Sequence, residues 1–119
     1  MVAHTCEAVV VHCIDFRLQK FLNDWLAKRF GVSGYDRISW AGGVRELAIV
    51  QGQIETSRRL HDVKRAILIN HEDCGAYGPL GTKERHVSDL AYAEHAIQFL
   101  HLEVEKYFLH LNGEFERIT

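Results

Sequence analysis

The stretch Lys64-Arg65-Ala66-Ile67-Leu68-Ile69-Asn70-His71-Glu72-Asp73-Cys74-Gly75-Ala76-Tyr77-Gly78 decides how this chain is read. Ala66 to Ile69 is a short, continuous apolar run rich in branched residues, the pattern of a strand covered on both faces. His71 and Cys74 follow where the run stops, and Gly75 and Gly78 release the backbone into a turn. An imidazole and a thiol three residues apart, on a loop leaving a buried strand, can hold one borderline metal ion. Taken alone, such a pair is more often an incidental feature of a loop.

A second stretch sharpens the reading. Glu7 to Cys13 is another apolar run with strand chemistry, and Cys13 stands at its C-terminal end. Open parallel sheets bind ligands beyond the carboxyl ends of their strands, where the strand order reverses. Two strands delivering zinc-type ligands at the same end give Cys13, His71 and Cys74. Three protein ligands, rather than four, is the count of a catalytic Zn²⁺ that keeps one position for water.

The totals narrow the class. A chain of 119 residues with 47% apolar and 25% charged residues makes one globular domain, 1–119. A net charge of −2 without a basic stripe argues against nucleic-acid and anionic-membrane partners. No apolar run approaches the ~20 residues that cross a bilayer. Three cysteines without framework spacing, and no secretory leader in the first residues, read as reduced thiols in the cytoplasm.

Taken in order, Leu18, Phe21, Leu22, Trp25, Leu26 and Phe30 form the apolar stripe of a first helix that stops at Gly31. Asp36 to Trp40 reads as a second strand. Ala41-Gly42-Gly43 turns into a second helix over Val44–Leu60, with Val44, Leu47, Ala48 and Ile54 inward. The paired glycines read either as a tight turn or as an anion cradle of backbone N–H groups. After the 64–78 stretch, Ser88 is the expected cap of a long third helix. Its stripe is Leu90, Ala93, Ile97, Leu100, Val104, Phe108 and Leu111, with His95, His101 and His110 solvated. Asn112-Gly113 ends that helix, and Phe115–Ile118 forms a fourth strand. Strand–helix–strand alternation of this kind specifies an α/β fold with a parallel sheet flanked by helices. His12 points opposite to Cys13 and is expected to be packed or hydrogen-bonded; Cys6 is left over as a buried or incidental thiol.

Cys13, Asp15 and Arg17 are spaced by two, so an extended segment puts them on one face. The aspartate and arginine are expected to pair. A carboxylate this near the ligands could take the fourth metal position, unless Arg17 holds it away. A Cys-based phosphatase is excluded, because the arginine required six residues after Cys13 is Gln19.

Cys13-x-Asp15-x-Arg17, then Ala41-Gly42-Gly43, then His71-x-x-Cys74-Gly75 together resemble the β-class carbonic anhydrases over roughly Val9 to Gly78. The resemblance implies Zn²⁺ held by Cys13, His71 and Cys74, with Asp15 and Arg17 as the catalytic dyad that gates the fourth position. It further implies a Rossmann-like three-layer α/β/α architecture with strand order 2-1-3-4, and reversible hydration of carbon dioxide to bicarbonate. Phe16 departs from the family, which has serine there, and its ring is expected to narrow the pocket. The chain reads as a minimal member, without the family's N-terminal helices. In that strand order the first helix covers one sheet face alone, so a homodimer or higher homo-oligomer is expected. Two other readings stand beside this one. One is a zinc-binding module whose site Asp15 closes; the other is a zinc hydrolase of a carbon dioxide analogue such as carbon disulfide.

Overall fold

The computed structural model describes residues 4–31 and 34–119; Met1–Ala3, part of the segment read for a leader, lie outside the described residues. The chain runs β1 (Ala8–His12), α1 (Gln19–Phe30), β2 (Tyr35–Ser39), α2 (Leu47–His61), β3 (Arg65–His71), α3 (Lys83–Ala96), β4 (Glu103–Leu109) and β5 (Phe115–Ile118). The sheet order is β2-β1-β3-β4-β5, parallel except for β5, which pairs antiparallel with β4. The α/β architecture read from the sequence is the one observed.

The two apolar runs occupy the centre of this sheet. Every residue of β1 is buried, and β3 is buried from Ala66 to His71, because helices cover both faces there. Alternate residues serve opposite faces. Val9, Val11, Ala66 and Leu68 pack under Val50 and Ile54 of α2 and Leu90 and Ala93 of α3. Ala8, Val10, Ile67 and Ile69 pack under Leu22 and Leu26 of α1. The expected distribution of helices therefore holds, with α1 on one face and α2 and α3 on the other. Trp25 extends the cover of α1 by stacking on Phe115, their ring centroids 4.4 Å apart.

The region after Gly78 corrects the sequence reading. The third helix starts earlier, capped by Thr82, whose Oγ1 accepts from the Arg85 N–H at 3.1 Å, and Ser88 is an exposed residue within it. It ends at Ala96. His101 then adopts a left-handed conformation (φ 57°), and Glu103–Leu109 is the fourth parallel strand. Val104 and Phe108, four apart, share a face in a strand as well as in a helix, so the apolar periodicity fits both. Asn112-Gly113 is thus not a helix stop but the turn of the β4–β5 hairpin, a strong signal for such turns. Gly113 has φ 95° and lies so close to Phe21 that a Cβ there would come within 2.7 Å of the ring. Phe115–Ile118 is a strand as expected, but the fifth, at the antiparallel edge. In α2, Val50 takes the inward position assigned to Ala48, which is exposed.

Candidate metal centre

β1 and β3 are parallel neighbours, with Val11 opposite Leu68, so their C-terminal ends open at the same sheet edge. Cys13 leaves the first and His71 closes the second, and a turn through Asp73 (φ 56°) brings Cys74 back beside them. The Cys13 and Cys74 sulfurs are 4.0 Å apart, and one ligand atom from each of Cys13, His71 and Cys74 lies within 4.8 Å of the others. All three residues are buried.

The His71 ring is oriented for coordination. Its Nδ1 lies 2.7 Å from the Glu72 carbonyl oxygen, so this nitrogen donates and Nε2 carries the lone pair. Among the described residues that buried Nε2 has no hydrogen-bond partner, an expensive arrangement unless something else binds it. An orphaned imidazole nitrogen facing two thiols matches the donor set of a zinc ion.

Electrostatics favour one thiolate. Hydrogen bonding from Cys74 holds the Cys13 thiol below its ordinary range against the cost of burial, with help from the Gly42 N–H. The proton shared by the pair stays on Cys74, whose thiol is pushed up by Cys13 and by burial. Burial works against charge on His71, but Cys13, the Glu72 carbonyl and Asp15 outweigh it and raise its pKa.

The Ala41-Gly42-Gly43 turn is a support for Cys13 and not an open anion cradle. The Gly42 N–H donates to Cys13 Sγ at 3.3 Å, the Gly43 N–H to the Trp40 carbonyl, and the Val44 N–H to Asn70 Oδ1 at 3.2 Å. Gly43 has φ 61°, and a Cβ there would collide with Asn70 Oδ1.

Asp15 and Arg17 pair as expected. Asp15 Oδ1 accepts from the Arg17 backbone N–H (2.9 Å) and Nε (3.1 Å), and Oδ2 accepts from Nη2 at 2.7 Å. These bonds from Arg17 hold the Asp15 carboxyl down at about 2. Oδ2 also stands 3.9 Å from His71 Nε2, so the carboxylate borders the metal position while bonded to Arg17. Arg17 is braced in turn by Asp73, through its side chain and its carbonyl oxygen.

A cavity of about 670 Å³ opens over the site, lined by Cys13, Ile14, Asp15, Phe16, Arg17, Ala41, Asp73, Gly75 and Ala76. The Phe16 ring does not narrow it: the residue is 86% exposed at the rim. His12 is buried and hydrogen-bonded, with Nε2 accepting from Arg37 Nε at 2.6 Å.

Asp73, Asn70 and Gly42 were not singled out for these roles. Asn70 carried a legible signal, a polar residue at the end of a buried apolar run. It donates through Nδ2 to Tyr77 Oη and to His86 Nδ1, while Tyr77 Oη–H donates to Asp89. The loop after β3, the glycine turn and α3 are thereby locked together.

A family model described as "Putative carbonic anhydrase" matches residues 3–119. The chain belongs to that family. It is 29% identical over 134 residues to an uncharacterised protein of Rickettsia bellii, covering 94% of this chain and 81% of that one. Among solved structures, a carbonic anhydrase from Glaciozyma antarctica superposes with a TM-score of 0.70 at 18% identity, over 100% of this chain and 85% of that one. A carbon disulfide hydrolase gives a TM-score of 0.61 at 15% identity, over 99% and 81% of the two chains. At these identities the likeness shows the fold, which the two solved proteins share despite their different substrates.

Proposed function

We propose that this member of the family is a zinc-dependent carbonic anhydrase that interconverts carbon dioxide and bicarbonate. The observation that carries the reading is the orphaned Nε2 of His71 beside two sulfurs, next to an aspartate whose oxygens Arg17 already engages. Cys13, His71 and Cys74 would hold the ion. A zinc ion in such a site is a Lewis acid that makes hydroxide available near neutral pH.

The chain's own residues do the rest. Asp15, ionised throughout the neutral range, only accepts hydrogen bonds, so it orients the nucleophile and leaves proton release to solvent or buffer. Its Oδ2 keeps acceptor capacity toward the site, since a carboxylate oxygen has two lone-pair directions. Arg17 holds that carboxylate back and so keeps a coordination position available. Ile14, Phe16, Ala41 and Ala76 give the cavity apolar walls suited to an uncharged linear substrate.

We further propose a homo-oligomer in a reducing cytoplasm. Ile14 at 59% and Phe16 at 86% exposure sit on the rim of the cavity, where a second copy would cover them.

The test is stopped-flow carbon dioxide hydration by zinc-loaded protein, with Cys74→Ser as control and carbon disulfide as alternative substrate. A zinc-dependent hydration rate that Cys74→Ser abolishes is expected. No rate above buffer overturns the proposal, and turnover of carbon disulfide alone replaces its substrate.

A further inference from the structure

A second group of ligand-type side chains stands at the other end of β1. Cys6 precedes that strand, Asp36 lies in β2, and His61 is the last residue of α2. One ligand atom from each lies within 4.8 Å of the others, and all three residues are part-buried. The arrangement is fixed by the backbone: the Cys6 N–H donates to the His61 carbonyl at 3.2 Å, and the Glu7 N–H to the Gly34 carbonyl at 3.2 Å. Asp36 Oδ2 is oriented by the Ser57 hydroxyl at 2.6 Å and by His61 Nδ1 at 2.6 Å. A cavity of about 200 Å³ opens beside Asp36, Ser57 and His61. The His4 ring, its centroid 6.5 Å from that of His61, brings a second imidazole to the same corner.

We propose that Cys6, Asp36 and His61 form a second metal site, for a divalent ion of the zinc class, with His4 or water as fourth ligand. A thiolate and a carboxylate neutralise the two charges of the ion, and the thiolate selects against magnesium and calcium. Binding releases the Cys6 thiol proton, shifts the His61 ring proton from Nδ1 to Nε2, and replaces the Asp36–His61 hydrogen bond by two metal–ligand bonds. Six residues of mostly extended chain lie between Cys6 and Cys13, a span of about 20 Å at strand rise, so the two sites fill independently. An ion here staples the segment before β1 to β2 and to the end of α2. It does so whether or not the Cys13 centre is catalytic.

Cobalt(II) tests this, because a thiolate ligand gives it a charge-transfer absorption that oxygen and nitrogen ligands do not. Reduced, metal-free protein is titrated with Co²⁺, and bound metal is counted by elemental analysis after gel filtration. Cys6→Ser and His61→Ala are each expected to bind one equivalent fewer than the wild type. The chain has three cysteines, so in Cys13→Ser/Cys74→Ser any charge-transfer band must come from Cys6, and one equivalent with that band is expected. If Cys6→Ser and His61→Ala leave the stoichiometry unchanged, the proposal is overturned. That comparison keeps the Cys13 centre intact and decides the matter even if the double variant does not fold. It also separates the two sites: should the Cys13 centre take no metal, a single equivalent lost on Cys6→Ser still upholds the second.

Discussion

Arg17 and Asp73 meet across the cleft, one from the loop after β1 and the other from the loop after β3. Arg17 Nη1 donates to Asp73 Oδ2 at 3.1 Å and Nη2 to the Asp73 carbonyl at 2.9 Å. The same guanidinium holds Asp15, so one side chain fixes both the spacing of the loops and the position of the carboxylate. In Arg17→Ala, Asp15 is released toward the metal position. Hydration is expected to fall about 10–100-fold, the usual scale for losing a partner that orients a metal site, while zinc content stays stoichiometric. Arg17→Lys restores only part of the rate, because an ammonium lacks the planar fork. Stopped-flow rates beside zinc analysis check this.

The buried carboxylate of Glu105 gives stability a pH dependence. Glu105 is 3% exposed, paired with Arg29 and Arg65, and accepts from the Tyr107 hydroxyl at 2.7 Å. Hydrogen bonds from Arg29 first, then from Tyr107 and Arg65, hold its carboxyl down at about 2 despite burial. A depressed folded pKa stabilises the protein above the unfolded value near ~4.3, and the contribution disappears as pH falls toward about 2. Glu105→Gln is expected to cost about 2–3 kcal/mol at neutral pH. It should also flatten the loss of stability between those two pKa values, as read by urea denaturation across pH.

Gly43 and Asn70 test the support beneath the site. Gly43→Ala places a Cβ in a left-handed conformation and against Asn70 Oδ1. Asn70→Ala leaves the buried Val44 N–H without its acceptor. Each is expected to cost about 1–3 kcal/mol, with reduced zinc affinity because Gly42 and His71 flank the disturbed contact. Denaturant midpoints and competitive zinc titration provide the measurements.

Phe16 separates fold from assembly. Its exposure means that Phe16→Ser should change monomer stability by no more than about 0.5 kcal/mol, while loss of a rim aromatic should weaken self-association. Sedimentation velocity over a concentration series reads both copies and monomer. A monomer for the wild type at all concentrations would remove the oligomer from the proposal.

The centre of the fold was legible because β1 and β3 are covered on both faces and therefore spell out continuous apolar runs. The candidate ligands were legible because Cys13 and His71 stand at the ends of those runs. β4 was not, since Val104 and Phe108 fit either periodicity and only the Asn112-Gly113 turn separated the cases. The bracing of the site by Asp73, Asn70 and Gly42 was hidden for another reason. It depends on which N–H groups meet the Asp73 carboxylate, the Cys13 sulfur and the Asn70 amide oxygen from distant parts of the chain, and spacing along one strand does not encode that.

The most direct measurement is a crystal structure of the protein loaded with zinc. The predicted result is an ion bonded to Cys13 and Cys74 sulfurs at ~2.3 Å and to His71 Nε2 at ~2.0–2.1 Å, with Asp15 still on Arg17 and the fourth position left to solvent. An ion absent from these three atoms in metal-replete protein, or Asp15 coordinated in the fourth position, would contradict it.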